Sequence, residues 1–432
     1  MRATAWVLVG SLAVAACGTS TDEGAPSTPV GQREPTVAPT SPSSTVDSEP
    51  AGIALAATPG VERSPVTAGA PVSALAGGLN GAGFDLLRTL PRDENVVFSP
   101  ASIGHALLMA SAAGDDVTRS AIETALALPK DAHSAWNAID QSIAAAQSDQ
   151  VTVTIADRIW PAIGVQPDQD WVDLLAADHG ADVVPLDFAG DRDESRDIIN
   201  TWVEERTDGL IADLLPPGFL DERTVLVLTD AVYFAADWAT PFGKYGSQPG
   251  SFTTANGEAL DVSFMRELEL SDRRGAGDGF VGAEIPYAGD DYSMLVLVPD
   301  AGEFESFVDR LDQSLLDDID ASFGTGPYEL LLPKWEDEFR IDLLAWLTEM
   351  GAAPGSYPAI TPAAFLDAAV HAADIAVDEQ GTVAAAATAL AFQESGPPEP
   401  ELTVAANRPF VYLIRHRDSG LVLFAGTVVD PT

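Results

Sequence analysis

Cysteine is almost absent from this 432-residue chain, which contains a single one, Cys17. One cysteine excludes an intrachain disulfide, so the fold must be held together by its apolar core. Hydrophobic residues make up 46% of the sequence, which is enough to bury a large core.

Basic residues are scarce as well. The chain has 22 Lys and Arg residues against 66 Asp and Glu residues, and its formal net charge is −44. A field of this sign repels phosphate and sulfate groups. We therefore expect neither nucleic acid nor a heparin-like polyanion as a partner.

Catalytic and metal-binding motifs are also missing. The sequence has no Gly-x-Ser-x-Gly nucleophile elbow and no His-Glu-x-x-His zinc motif, and its five histidines are scattered without metal-ligand spacing. We expect no enzymatic activity, no cofactor and no metal. A hydrolase is the reading with the least support.

The apolar run near the amino terminus is short. Residues 5–16 follow Arg2, are too few to span a bilayer as a permanent helix, and end in small side chains as cleaved export signals do. The segment Val14-Ala15-Ala16-Cys17-Gly18 resembles the lipobox of bacterial lipoproteins, in which the cysteine is acylated after cleavage. We expect a lipoprotein-type signal peptide at residues 1–16 and a lipid anchor at Cys17. An ordinary secretory signal with an incidental cysteine is the alternative.

Two regions follow the signal. Residues 17–70 are rich in Ser, Thr, Pro, Gly and Ala, so they cannot form a core and predict a disordered tether. Residues 71–432 mix helix and strand patterns without a long linker and predict one large domain. We expect this domain on the extracellular face of a bacterial membrane, or secreted if the anchor is not added.

Strand patterns dominate the folded part. They occur at residues 151–159, 224–234, 292–298, 328–334, 410–415 and 421–429, with helical patterns between them, including one at residues 341–350. Strands outnumber those of a regular alternation with helices. The pattern therefore predicts an α+β domain with a large, mostly antiparallel sheet.

Several short motifs, in order along the chain, resemble those of the serpin family from about residue 75 to the end. They read Asn95-Val96-Val97-Phe98-Ser99-Pro100-Ala101-Ser102-Ile103, Ile199-Asn200-Thr201-Trp202-Val203-Glu204, Asp230-Ala231-Val232-Tyr233-Phe234, Asn407-Arg408-Pro409-Phe410 and Leu423-Phe424-Ala425-Gly426. The resemblance implies a serpin fold with a large, mainly antiparallel central sheet, further sheets, about eight to nine helices and an exposed reactive loop. It also implies a monomer.

Residues 377–390 begin like a strand and continue with small side chains. Taken alone, this stretch is equally compatible with an Ala-rich surface helix or linker. The resemblance places it on the hinge that leads into the reactive loop of inhibitory serpins, whereas non-inhibitory relatives often have bulky or charged residues there. The matching hinge residues are Glu379, Gly381, Thr382, Val383, Ala384, Ala385, Ala386, Ala387 and Thr388.

The reactive bond follows from the same resemblance. The family's loop length places the cut between Ser395 and Gly396, with Phe392, Gln393 and Glu394 before it. A serine at the cut predicts a serine protease with a small, uncharged primary pocket, either elastase-like or subtilisin-like. Cuts after Glu394 by an acid-specific protease, or after Phe392 by a chymotrypsin-like or papain-like one, remain open.

The resemblance implies two further groups of residues, one at the top of the main sheet and one under its centre. Lys334 and Trp238 match the family's breach, where the loop enters the sheet. Ser99, Ser102, Asp230 and His371 match its shutter, under the centre of the sheet. The family usually has Asn at the position of Asp230, so we expect a buried, charge-assisted Asp230–His371 pair that makes stability or loop insertion depend on pH.

The resemblance thus predicts a suicide-substrate inhibitor that traps its target protease in a covalent acyl-enzyme complex. The protease cuts the loop, the hinge inserts into the main sheet as a new strand, and the trapped enzyme is distorted before it can deacylate. A non-inhibitory serpin-fold binding protein is the alternative from a different functional class.

Overall fold

The computed structural model describes residues 61–243, 247–270, 272–382 and 400–432. Outside these ranges lie the predicted signal peptide with Cys17, most of the tether, the hinge residues from Val383 to Thr388, and the loop residues from Phe392 to Gly396. Among the described residues, none of the helices combines the length and the hydrophobicity needed to cross a membrane.

The described helices and strands alternate irregularly along the chain. The helices are α1 (Val72–Leu87), α2 (Pro100–Ala113), α3 (Asp116–Ala125), α4 (Ala132–Ala145), α5 (Gln169–Leu174), α6 (Arg192–Arg206), α7 (Phe304–Arg310), α8 (Gln313–Ser322) and α9 (Leu344–Glu349), with a π-helical turn at Leu175–His179. The strands are β1 (Val96–Phe98), β2 (Val151–Pro161), β3 (Asp182–Val183), β4 (Leu226–Asp237), β5 (Gln248–Thr253), β6 (Ala259–Leu270), β7 (Arg273–Gly277), β8 (Phe280–Pro286), β9 (Tyr292–Pro299), β10 (Gly324–Thr325), β11 (Tyr328–Pro333), β12 (Trp335–Asp342), β13 (Val370–Val377), β14 (Gly381–Thr382), β15 (Leu402–Ala405), β16 (Phe410–His416) and β17 (Leu421–Val428).

The residues Ser99 and Pro100 determine where α2 begins. Ser99 is extended, its Oγ accepts a hydrogen bond from the Ser102 N–H at 3.0 Å, and Pro100 occupies the first turn. A serine cap followed by proline satisfies a free backbone donor and pre-sets the helical φ. Eleven of the fourteen residues of α2 are buried, so this helix is part of the core.

Three sheets make up the β part of the domain. One has seven strands in the order β1-β17-β16-β9-β8-β7-β10, one has four in the order β15-β11-β6-β5, and one has six in the order β12-β13-β14-β4-β2-β3. Pairing is antiparallel except between β2 and β3 and between β11 and β15. The predicted α+β class with a large, mostly antiparallel sheet is confirmed.

The six-stranded sheet, called the main sheet below, is split along part of its length. At one end β14 lies between its neighbours, with Thr382 paired to Val377 of β13 and to Ala236 of β4. Along the rest of β4, from residue 226 to 235, the register partners among the described strands belong to β2 alone, and β13 is likewise paired with β12. A cavity of about 500 Å³, called the slot below, lies between residues 226–230 of β4 and the start of β13 at Val370 and His371.

The amino-terminal edge of the domain lies before residue 71. The Arg63 side chain donates to Asn137 Oδ1 at 2.9 Å, and the Ser64 N–H donates to the Ala177 carbonyl at 2.8 Å. Residues 61–70, which the sequence assigns to the tether, therefore include contacts with the folded domain.

Candidate reactive-loop hinge and sheet opening

The residues predicted for the breach meet at the end of the main sheet. Lys334 Nζ lies 2.7 Å from Glu379 Oε1, and Ser247 Oγ donates to the same oxygen at 2.7 Å. Burial on its own would raise the pKa of Glu379, but the hydrogen bonds from Lys334 and Ser247 lower it below its ordinary value. The ion pair therefore connects the junction between β11 and β12 to the start of the hinge.

Trp238 forms hydrogen bonds with the same segment, at residues 378 and 380. Its Nε1 donates to the Asp378 carbonyl at 2.9 Å, its backbone N–H donates to the Gln380 carbonyl at 2.7 Å, and its ring stacks on Tyr287 with 4.5 Å between centroids. Trp238 is 1% exposed. A buried indole with its N–H satisfied fixes the point at which the chain turns into β14.

The first two inserted residues fit closely. Thr382 is 2% exposed, and its hydroxyl lies 2.6 Å from the Tyr287 hydroxyl. At Gly381 a Cβ would approach the Ala236 carbonyl oxygen to 2.0 Å, so only glycine allows β14 to lie this close to β4. The hinge is thus already part of the main sheet up to Thr382.

The shutter residues also come together, beneath the centre of the main sheet. The Ser99 N–H donates to His371 Nε2 at 3.0 Å, and Ser102 Oγ donates to the Asp230 carbonyl at 3.4 Å. Burial lowers the pKa of His371 to about 4, although Asp230 acts in the opposite direction. His371 is therefore a neutral acceptor.

The direct Asp230–His371 pair expected from the sequence is wrong. The Asp230 carboxylate is bonded instead to His105 Nδ1, at 2.6 Å, while His371 accepts from the Ser99 backbone. His105 lies one helical turn after Ser102 on α2, so the same helix face supplies both contacts. The pH dependence attached to the expected pair stays a prediction.

Residues 78–431 match the family model described as "Serpin (serine protease inhibitor)". The chain belongs to the serpin family.

Individual relatives agree with this assignment. Serpin-Z1 of Arabidopsis thaliana is 30% identical over 368 residues, covering 80% of this chain and 91% of the relative. The native state of the thermophilic serpin tengpin has a TM-score of 0.74 at 24% identity, covering 82% of this serpin and 94% of tengpin. Thyroxine-binding globulin in complex with thyroxine has a TM-score of 0.72 at 23% identity, covering 83% and 99%. These two structures show the likeness of fold alone.

A buried cluster that the sequence did not reveal lies beside the serpin's shutter. Asp157 of β2 stands directly opposite Asp230 of β4, and His105 Nδ1 is 3.2 Å from Asp157 Oδ1. Burial would lower the pKa of His105, but the carboxylates of Asp157 and Asp230 raise it to about 9. From His105 a chain continues through His179, at 2.7 Å, to His133, at 2.8 Å.

A second group of acids lies in the main sheet of this serpin, on β12 and β13. Burial, together with the carboxylates of Asp374 and Glu94, raises the pKa of Asp337 to about 7. Burial, together with Glu338 and Glu336, raises that of Asp374 to about 6. In both cases the folded state favours the protonated carboxyl group.

We expect Asp337 to contribute stability that is lost as pH rises from about 4 to about 7, because its carboxyl group keeps a proton in the folded state that the unfolded state has released. Asp337→Asn should remove this contribution and so change the slope of stability against pH, by about 1 to 2 kcal/mol over the window once the partial exposure of the group is allowed for. Urea unfolding at a series of pH values measures it. Asp193→Asn, a change of the same type at a carboxylate 82% exposed, is the control and should leave the slope unaltered. Parallel curves for wild type and Asp337→Asn would contradict the prediction.

Proposed function

We propose that this serpin is a suicide-substrate inhibitor of serine proteases whose primary pocket is small and uncharged. The target cuts the loop at Ser395–Gly396, and the hinge then enters the main sheet as a strand. The observation that carries the proposal is β14, which already lies between β13 and β4 at one end of the main sheet.

The register of β14 supports this route. Gly381 pairs with Asp237 and Thr382 with Ala236, so a strand continued in the same register brings Thr388 opposite Asp230 on one side. On the β13 side, the pairing of Thr382 with Val377 brings Thr388 opposite His371. Insertion therefore carries the hinge down to the shutter.

The side chains of the hinge suit such a burial. Thr382 faces Tyr287 inside the domain, and strand alternation places Ala384, Ala386 and Thr388 on the same face. The opposite face receives residues 383, 385, 387 and 389, which are Val or Ala. Small apolar side chains add little volume. The new strand would also form backbone hydrogen bonds with β4 on one side and β13 on the other, worth about 1 kcal/mol each.

Target choice rests on the loop sequence. Ser395 fits a small pocket, and no Lys or Arg occurs between Glu379 and Arg408, so trypsin-like targets are disfavoured. A cut after Glu394 or Phe392 would redirect the inhibitor to an acid-specific or to a chymotrypsin-like or papain-like protease.

We also propose that the domain acts as a monomer outside a bacterial cell, held to the membrane by a lipid on Cys17. The lipobox-like segment around Cys17 and the Ser/Thr/Pro-rich region after it support this location. Secretion without the anchor is the alternative.

Incubation with elastase and with subtilisin tests the proposed function. We expect a covalent complex that survives denaturing electrophoresis, because insertion traps the acyl-enzyme before water can cleave it. Trypsin serves as the control and should form none. Loop cleavage without any complex would overturn the proposal and favour a serpin-fold binding protein.

A further inference from the structure

Three side chains converge between the main sheet and α2 with their donor atoms facing one another. His105 Nδ1, a carboxylate oxygen of Asp157 and a carboxylate oxygen of Asp230 all lie within 4.8 Å of one another. The side chains are 0%, 4% and 2% exposed. Directly opposed positions on β2 and β4 put both carboxylates on the same face of the sheet, toward α2.

Asp157 Oδ1 and Asp230 Oδ1 make no hydrogen bond within the described part of the chain. Asp157 Oδ1 has the 3.2 Å contact with His105 Nδ1, whose hydrogen bond goes to Asp230 Oδ2. A buried carboxylate oxygen without a donor is costly, and here the single imidazole of His105 has to serve both Asp157 and Asp230. Asp140, a carboxylate outside the cluster, is ion-paired with Arg63. The charge of Arg63 is therefore already used and does not neutralise Asp157 or Asp230.

We propose that His105, Asp157 and Asp230 form a binding site for a divalent transition-metal ion, with Zn²⁺ as the ion that best fits an imidazole and two carboxylates. Two positive charges neutralise both carboxylates at once, and the ion gives Asp157 Oδ1 a full partner.

The distances suit such an ion with a small adjustment. Zn²⁺ ligands about 2.0 to 2.2 Å from the metal lie roughly 3.4 Å apart at the corners of a tetrahedron. His105 Nδ1 and Asp157 Oδ1 are 3.2 Å apart, whereas His105 Nδ1 and Asp230 Oδ2, now hydrogen-bonded, are 2.6 Å apart. The carboxylate of Asp230 has to move by less than 1 Å, and it has room to do so because Asp230 lines the slot. A water molecule in the slot can supply the fourth ligand.

The histidine chain behind the site holds the His105 ring in the required orientation. His105 Nε2–H can donate to His179 Nδ1, and His179 Nε2–H to His133 Nδ1, so His105 Nδ1 faces the carboxylates. The ion would replace the proton through which Nδ1 is now hydrogen-bonded to Asp230. The His105 ring also stacks on Trp136 with 3.7 Å between centroids. Metal-binding histidines in general have their second nitrogen held in this way.

Isothermal titration calorimetry of the untagged, chelator-treated domain with ZnCl₂ tests the site. We expect one Zn²⁺ per chain and a higher unfolding temperature in its presence, since an ion that binds only the folded state stabilises it. Asp157→Asn, which keeps the size of the side chain, should weaken Zn²⁺ binding by at least about 100-fold. His105→Gln should do the same, and circular dichroism checks that each variant is folded.

Asp116→Asn, at an exposed carboxylate outside the cluster, is the matched control and should bind Zn²⁺ like the wild type. Two results would overturn the proposal, and neither depends on protease inhibition. One is a wild-type domain that binds no Zn²⁺ and shows no rise in unfolding temperature. The other is unchanged Zn²⁺ binding in folded Asp157→Asn or His105→Gln, which would place the ion elsewhere.

Discussion

Thr382→Arg is expected to abolish the proposed inhibition and leave the serpin a substrate of the protease. Thr382 is 2% exposed and faces Tyr287, so an arginine there would have to bury an unpaired charge, at a cost of several kcal/mol, or withdraw β14 from the main sheet. In either case insertion stops at its first step. The target should then cut the loop and leave, and the yield of covalent complex should fall by about 100-fold or more.

The control for this variant is Thr152→Arg, because Thr152 is exposed on β2 of the same sheet. It carries the same change of size and charge and should leave complex formation intact. Denaturing gels of both variants after incubation with elastase or subtilisin separate complex from cleaved serpin. A normal yield of complex from Thr382→Arg would show that the hinge does not enter the sheet at this point.

Ser395→Arg is expected to redirect the proposed inhibition to a different protease. A small, uncharged pocket cannot accept a guanidinium group without burying an unpaired charge, so complex formation with elastase should drop by at least about 100-fold. Trypsin, whose primary pocket accepts arginine, should now form the covalent complex. Mass spectrometry of the released carboxy-terminal fragment identifies the bond that is cut.

Gln393→Arg is the matched control, since it puts the same charge two residues earlier in the loop. Trypsin should cut this variant at the new arginine, where the shorter inserted segment carries the protease less far, and the yield of complex should be lower than with Ser395→Arg. If Ser395→Arg kept its full activity against elastase, the reactive bond would lie elsewhere, at Glu394 or Phe392.

Much of the fold could be predicted because its central strands are buried on both faces. The runs at residues 292–298, 410–415 and 421–429 are continuous and apolar, and they form β9, β16 and β17, in which every residue is buried. The strand β12 was missed, and the helix expected at residues 341–350 is shorter. The strand was missed because Asp337 interrupts the apolar alternation of β12. The helix is shorter because the helical pattern at residues 341–350 includes the last two residues of β12 as well as α9.

Only the part of the candidate site that lies within recognisable sequence motifs could be predicted. Lys334, Trp238 and Glu379 could be placed because each lies in a motif that resembles the family. The partner of Asp230 could not, because it depends on the register between β2 and β4 and on the face of α2 that meets them. Similarly, the chain His105–His179–His133 joins residues far apart in sequence, so spacing alone gave no sign of it.

The central claim is that the loop, once cut, becomes a strand between β4 and β13, and the unfolding temperature before and after cleavage tests it most directly. About ten new ladder hydrogen bonds at about 1 kcal/mol each should raise the unfolding temperature by on the order of 10 °C or more. Calorimetry of the intact domain and of the domain cut within residues 383–399 gives both values, with Thr382→Arg, cut in the same way, as the sample in which the rise should be lost. An unfolding temperature that stays the same or falls after cleavage of the wild type would contradict the account.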